Sequence, residues 1–306
     1  MSLVVVGSVA YDGVETPHGK VDRMLGGACT YISLAASYFT QVRIIAVVGE
    51  DFNPSDRDLL AGRGIDLSGL ECVSGGKTFF WSGVYSNDMN DRETLTTELN
   101  VFADFKPKVP DPYKSQPYLL LGNIQPTLQR SVRQQMNGVR LVGGDTMNFW
   151  IRDHRQDLLD TLKDWDFLLI NDSEARMLSG ESNLRRAASA ILAMGPNTLV
   201  IKRGEYGALL FRKDTIFMVP GYLLEHVLDP TGAGDCFAGG FVGYLAERGL
   251  DLKEDHIDTR ELGRAVIYGS VMGSFCCEKF GVDRFRDLTR SEIDARFQEF
   301  KSATEF

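Results

Sequence analysis

Two runs, LVVVG (Leu3–Gly7) and VRIIAVVG (Val42–Gly49), constrain the fold more than anything else in the chain. Each is apolar with little alternation and stops at a glycine. A strand with one face in water alternates polar and apolar residues. An unbroken run belongs to a strand covered on both faces, as in a parallel sheet flanked by helices. Similar short runs stand at Tyr118–Leu121, Val139–Val142, Phe167–Ile170 and Thr198–Lys202. Helical stretches lie between several of them, including residues 28–39 and 54–63, the second opened by Asn53-Pro54, a cap followed by a proline. Strand, helix, strand over most of 306 residues predicts a three-layer α/β sandwich around a mostly parallel central sheet, in one domain spanning 1–306.

Two stretches break that rhythm. Residues 9–24 are polar and strand-like, and Lys77–Phe102 is rich in aromatic and β-branched residues around the turn SNDMND, which predicts a hairpin. Together they suggest a small β-sheet projecting from the main body as a lid. Trp81 and Tyr85 would then be exposed aromatics facing a ligand, a partner chain or the main domain, unless the hairpin simply packs on the core.

The balance of charge limits the partners. With 33 Lys and Arg against 42 Asp and Glu, the net charge is −9, and no basic run stands out. A nucleic-acid footprint is basic, so that class is excluded. An acidic chain can still hold a polyanion such as ATP through bare amides, a helix N-terminus or a metal. Five scattered cysteines give neither a disulfide frame nor zinc spacing and suit a reducing compartment. The N-terminal apolar stretch is too short for a signal peptide or a membrane span, so a soluble cytoplasmic protein is expected.

One stretch points to chemistry: DPTGAGDCFAGGF, Asp229–Phe241. Gly232, Ala233 and Gly234 leave backbone amides bare, and a small-residue helix follows. Orphan amides and the macrodipole favour an anion there. Asp235 falls in the first helical turn, where an ordinary charge-compatible acid would also fit. The run is longer than capping requires and reads as an anion hole beside a general base. It is neither a P-loop, whose pattern is absent from the chain, nor a dinucleotide fingerprint, since Phe237 stands where the third glycine belongs.

DPTGAGDCFAGGF closely resembles the C-terminal signature of the ribokinase-like (PfkB) family of carbohydrate and nucleoside kinases. Other stretches resemble the family in the expected order, from Gly7 to about Gly281. GSVAYD matches a strand end whose acid, here Asp12, holds substrate hydroxyls; otherwise it is a turn former. GGACTYISLAA resembles the Gly-Gly signature at Gly26 and Gly27, where backbone approaches the acceptor. Tyr31 replaces the asparagine common there, which puts a ribose-type contact in doubt and leaves room for a ring. NDSE matches the N-x-x-E motif, which implies Asn171 near the phosphates and Glu174 near Mg²⁺, through water; alone it would be a helix cap. VIKRGEYGALLF resembles the nucleotide-binding strand and turn. Gly204 and Gly207 match its glycines, and Lys202 stands where a small hydroxyl residue is common, as a phosphate contact or a surface lysine. Gly269, Gly273 and Cys277 share a helix face that suits close packing and that borders the adenine in the family. Asp229 and the backbone near Gly281 bear a faint likeness to the family's monovalent-cation loops, which would admit K⁺.

The resemblance implies transfer of the ATP γ-phosphoryl group to a hydroxyl of a sugar or related polyol, or of a nucleoside. Asp235 would be the base, the Gly232–Gly234 amides the anion hole, and Asp12, Gly26, Gly27 and Tyr31 the acceptor site. Asn171, Lys202 and Gly204 would position the nucleotide. Asp145 and Asn148, after a strand, are further polar contacts for the same cleft. The lid would exclude water, and could pair with another chain's lid in a homodimer. A silent sugar- or nucleotide-binding regulator is the rival, and the intact Asp235 argues against it. An NAD-linked enzyme lacks its fingerprint.

Overall fold

The computed structural model describes residues 1–252 and 257–304. In chain order its elements are β1 (Ser2–Val6), β2 (Ala10–Thr16), β3 (Gly19–Gly26), α1 (Ala28–Ala36), β4 (Gln41–Gly49), α2 (Pro54–Gly62), β5 (Asp66–Val73), β6 (Phe79–Tyr85), β7 (Arg92–Glu98) and β8 (Tyr118–Leu121). Then come α3 (Pro126–Gln135), β9 (Leu141–Asp145), α4 (Asn148–Asp153), α5 (Arg155–Leu162), β10 (Phe167–Asn171), α6 (Asp172–Ser179) and α7 (Leu184–Leu192). The last are β11 (Thr198–Lys202), β12 (Ala208–Arg212), β13 (Thr215–Val219), α8 (Ala233–Arg248), α9 (Thr259–Cys276) and α10 (Arg290–Thr304).

Nine strands form one sheet in the order β13-β12-β11-β10-β9-β8-β1-β4-β5. It is parallel from β11 to β5, and β12 and β13 close one end antiparallel. The unbroken apolar runs have the cause expected of them. Leu3 and Val5 of β1 join a core with residues of α1, α8 and α9, while Val4 and Val6 join a second core with residues of α3, α5 and α7. Both faces of the strand are covered, so each residue of the run is buried.

β9 begins two residues later than its apolar run and extends through two glycines to Asp145. Those glycines are needed where neighbouring strands crowd in: a β-carbon at Gly144 would lie 2.0 Å from Leu121 O and one at Gly143 would lie 2.3 Å from Phe167 O. The extension carries an acid to the strand's end.

α8 is buried nearly all round, and its glycines are the reason it fits. A β-carbon at Gly239 would lie 2.4 Å from Ile32 O of α1, and one at Gly240 would lie 2.6 Å from Tyr268 O of α9. From the other side, Gly269 packs on Phe237 and Gly273 on Ala233 O. The small-residue face of α9 is therefore helix packing, and Cys277 caps that helix.

Residues of the two rhythm-breaking stretches form a separate four-stranded sheet in the order β3-β2-β6-β7, with β6 and β7 as a hairpin. All five cysteines are free thiols. Among the described residues no helix is long and apolar enough to cross a membrane.

Candidate active site

Asp145, Asn171 and Lys202 are the last residues of β9, β10 and β11, adjacent strands of the parallel sheet. Ligands of open α/β sheets bind outside such carboxyl ends. α8 starts above this row, and the small sheet lies beside it. Its Thr16 Oγ1 donates to Leu228 O at 3.0 Å, and Asn90 Oδ1 at the hairpin tip would stand 3.6 Å from a β-carbon at Gly204. A hollow of about 540 Å³ beside Met1, Phe39, Arg43 and Glu247 is at the opposite, amino ends of the strands and touches none of these groups.

The start of α8 is held from several sides. Gly232 is its N-cap, with φ 78°, a left-handed conformation that favours glycine. A β-carbon there would lie 2.5 Å from the Tyr31 ring, so tyrosine and glycine are matched. Asp229 is fully buried and accepts the Thr231 amide on Oδ1 and the Gly281 amide on Oδ2, both at 2.9 Å. Both carboxylate oxygens thus anchor the loop. Cys276 Sγ donates to Thr231 O at 3.2 Å. The amides of Gly232 and Gly234 have no hydrogen-bond partner among the described residues. That of Ala233 is withdrawn from the expected anion hole, because it donates to Pro230 O at 3.1 Å.

Two aromatics expected as ligand platforms are not open surfaces. Tyr31 is 1% exposed, lies under Gly232, and its hydroxyl has no partner among the described residues. The close approach of α8 to α1 covers the face that a ring would need. Tyr85 is buried, and its phenol oxygen accepts from Thr231 Oγ1 at 3.1 Å. Trp81 stays half-buried, paired in register with Asp12 on the neighbouring strand.

Asp12 is buried against the Gly-Gly pair. A β-carbon at Gly26 would lie 1.9 Å from Asp12 Oδ2, and Gly27, at φ 91°, turns the chain from β3 into α1. Burial pushes the Asp12 carboxyl up to about 7; the Gly27 amide opposes this, while Asp229 and Asp235 add to it. Asp235 is raised by burial and pulled back by Lys202 and Arg92. Asp145 is pushed well above the carboxylate range by burial and then by Asp235, with Lys202 opposing. Of these facing carboxyls, Asp145 is the stronger holder of a proton. Its Oδ1 is buried without a partner among the described residues. Asn148 is exposed and turned onto its own neighbour, Phe149 N.

The N-x-x-E stretch is a capping box: Asn171 Oδ1 accepts the Glu174 amide at 2.7 Å, and Glu174 Oε2 accepts the Asn171 amide at 2.8 Å. One Glu174 oxygen remains for other use. Among the described residues no three His, Cys, Asp or Glu side chains gather as a metal cage. A lone carboxylate oxygen fits Mg²⁺, which takes one or two carboxylates and fills its shell with water and phosphate oxygens. Lys202 Nζ donates to Gly234 O at 3.4 Å, which places the cation at the anion loop rather than on the open surface. Arg92 of β7 was not legible as a site residue. It sits across from Tyr85 in register, and its charge lowers Asp12, Glu174 and Asp235 alike.

A mostly parallel sheet between helices, a small second sheet at its carboxyl end and an acid in a glycine-rich helix start make a ribokinase-like architecture. A family model described as pfkB family carbohydrate kinase matches residues 2–287, and the chain belongs to this family. It is 28% identical to a cytidine kinase of Thermococcus kodakarensis over 262 residues, 82% of this chain and 91% of that one. It is 31% identical to fructokinase-2 of Zea mays over 130 residues, 42% of this chain and 37% of that one. The structure of Burkholderia thailandensis nucleoside kinase in complex with inosine superposes with a TM-score of 0.76 at 21% identity, covering 98% of this chain and 99% of that one.

Proposed function

We propose that this kinase transfers the γ-phosphoryl group of ATP to a hydroxyl of a nucleoside. The observation that carries the transfer is Asp235 in the first turn of α8, beneath the unpaired amides of Gly232 and Gly234 and in the field of Asp12. Asp12 on the small sheet holds the acceptor's hydroxyls, with Gly26 and Gly27 letting it come close. Asp145 holds a proton more strongly than Asp235, which favours Asp235 as the group that takes the proton of the attacking hydroxyl. The Gly232 and Gly234 amides and the helix end stabilise charge building on the transferred group. Lys202 and Arg92 orient the triphosphate. Glu174 would hold Mg²⁺ through water, and the bound ion would neutralise charge on the phosphate oxygens. The small sheet acts as a lid that excludes water. The free thiols fit a reducing cytoplasm.

The cytidine kinase, aligned along 82% of the chain, supports a nucleoside acceptor. A sugar or polyol is the second reading, supported by the higher identity to fructokinase-2 over a shorter span. A coupled ADP-release screen over nucleosides, sugars and polyols decides between them, and product with nucleosides alone is expected. Asp235→Asn should lower kcat by about a thousandfold or more with ATP affinity nearly unchanged. Near-normal turnover in that variant would remove Asp235 as the base.

A further inference from the structure

The small sheet grips the loop before α8, and the segment that this loop is tied to, with several strands. Thr16 of β2 donates to Leu228 O at 3.0 Å, and the Tyr85 phenol of β6 accepts from Thr231 Oγ1 at 3.1 Å. Met24 of β3 packs where a β-carbon at Gly281 would lie 2.8 Å from its Sδ. Leu228 and Thr231 flank Asp229, whose carboxylate takes the Thr231 and Gly281 amides. The main chain of Thr231 is thus fixed from outside the small sheet, by Asp229 at its N–H and by Cys276 at its carbonyl. Its side chain is fixed by the small sheet. The next residue is Gly232, where the unpaired amides begin.

Asp12 and Tyr85 sit on adjacent, paired strands of the same sheet, β2 and β6. Whatever seats Asp12 against the cleft also seats Tyr85 against Thr231. Tyr85 and Thr231 are each only 8% exposed, so water does not compete freely for the bond and its loss costs more than a surface one.

We infer that Tyr85 is a positioning residue for phosphoryl transfer, which couples seating of the acceptor-binding sheet to the geometry of the anion loop through the Thr231 hydroxyl. The inference rests on the kinase reading above. Amides in an anion hole work when held ready for developing charge, and small displacements are costly. Tying them to the sheet that holds the acceptor confines strong catalysis to the seated state and suppresses transfer to water.

The test is Tyr85→Phe, which keeps the ring and its packing, alongside Thr231→Val and the double variant, each as the full chain. kcat for phosphoryl transfer should fall about tenfold, the size of one lost hydrogen bond, with KM for ATP and acceptor within about twofold. The ratio of ATP hydrolysis without acceptor to transfer should rise. The double variant should be no worse than Tyr85→Phe, which already removes the Thr231 bond together with the phenol's interaction with Arg92. Hydrogen exchange, which needs no turnover, should quicken in residues 229–236 of Tyr85→Phe while the core stays protected. Unchanged exchange there would overturn the inference whatever the activity. So would faster exchange with kcat and hydrolysis ratio intact, or losses that add in the double variant. A parent chain that phosphorylates no acceptor would defeat the kinase reading instead, and the exchange result would still decide whether Tyr85 holds the loop.

Discussion

In the proposed function Asp12 holds a hydroxyl, for which its charge serves best, yet it is folded into a place that resists that charge. Burial raises its carboxyl from 3.8 to about 7. The functional sign follows directly. Below about pH 7 the group gains a proton and loses acceptor capacity, so KM for the phosphate acceptor should rise as pH falls through that value. The stability sign is the opposite of a salt-bridged carboxylate. A folded value above the unfolded one contributes stability that is full below about 4 and is lost as pH rises through about 7. Asp12→Asn cannot ionise and escapes that loss. Its thermal midpoint should exceed the parent's at pH 8, with the gap closing toward pH 4, while its acceptor KM is raised and flat with pH. Thermal melts and initial rates across pH check both; a midpoint difference independent of pH would mean that Asp12 is not the strained group.

Elements show where sequence reasoning reaches and where it stops. The strands of the parallel sheet were legible because burial on both faces leaves a local mark, an unbroken apolar run. β12 and β13 were not, since an edge hairpin such as Ala208–Val219 carries charge and exposure on one side and looks like many loops. Gly143 and Gly144 read as the end of a strand, although close neighbours make them its middle. Motif order pointed to a candidate site, but not to the direction of its aromatics: Tyr31 and Tyr85 turn inward because of packing between elements distant in sequence. The capping box at α6 carries its own prediction, because the proposed function adds a chemical duty to its structural one. Asn171→Ala removes the cap and should cost about 1 kcal/mol of stability. Glu174→Gln keeps an acceptor for the Asn171 amide, so its midpoint should hold while its Mg²⁺ requirement rises several-fold. Melts and Mg²⁺ titrations of the two variants separate the roles; an equal loss of stability in both would leave Glu174 with a structural duty alone.

At the scale of the molecule, the difficulty is charge. A chain of net charge −9 turns Asp12, Asp145, Glu174 and Asp235 toward one cleft and would have to receive a triphosphate there. Two cations answer that field from opposite sides. Lys202 comes from the end of β11 and Arg92 from the small sheet, where its guanidinium stands 5.5 Å from the Trp81 ring. No motif announces Arg92, because its position follows from the register of β6 and β7 and from the docking of their sheet on Thr231. Arg92 is exposed, so Arg92→Gln should leave the thermal midpoint within about 1 °C of the parent. Its effect belongs to the assembled cleft: KM for ATP should rise about tenfold. The ratio of variant to parent should shrink as ionic strength goes from about 0.02 M to about 0.3 M, because salt screens a charge that acts across solvent. A ratio that ignores salt would show that Arg92 acts through packing on Trp81 and not through its charge. A ratio of one at every salt concentration would mean that Lys202 alone balances the cleft.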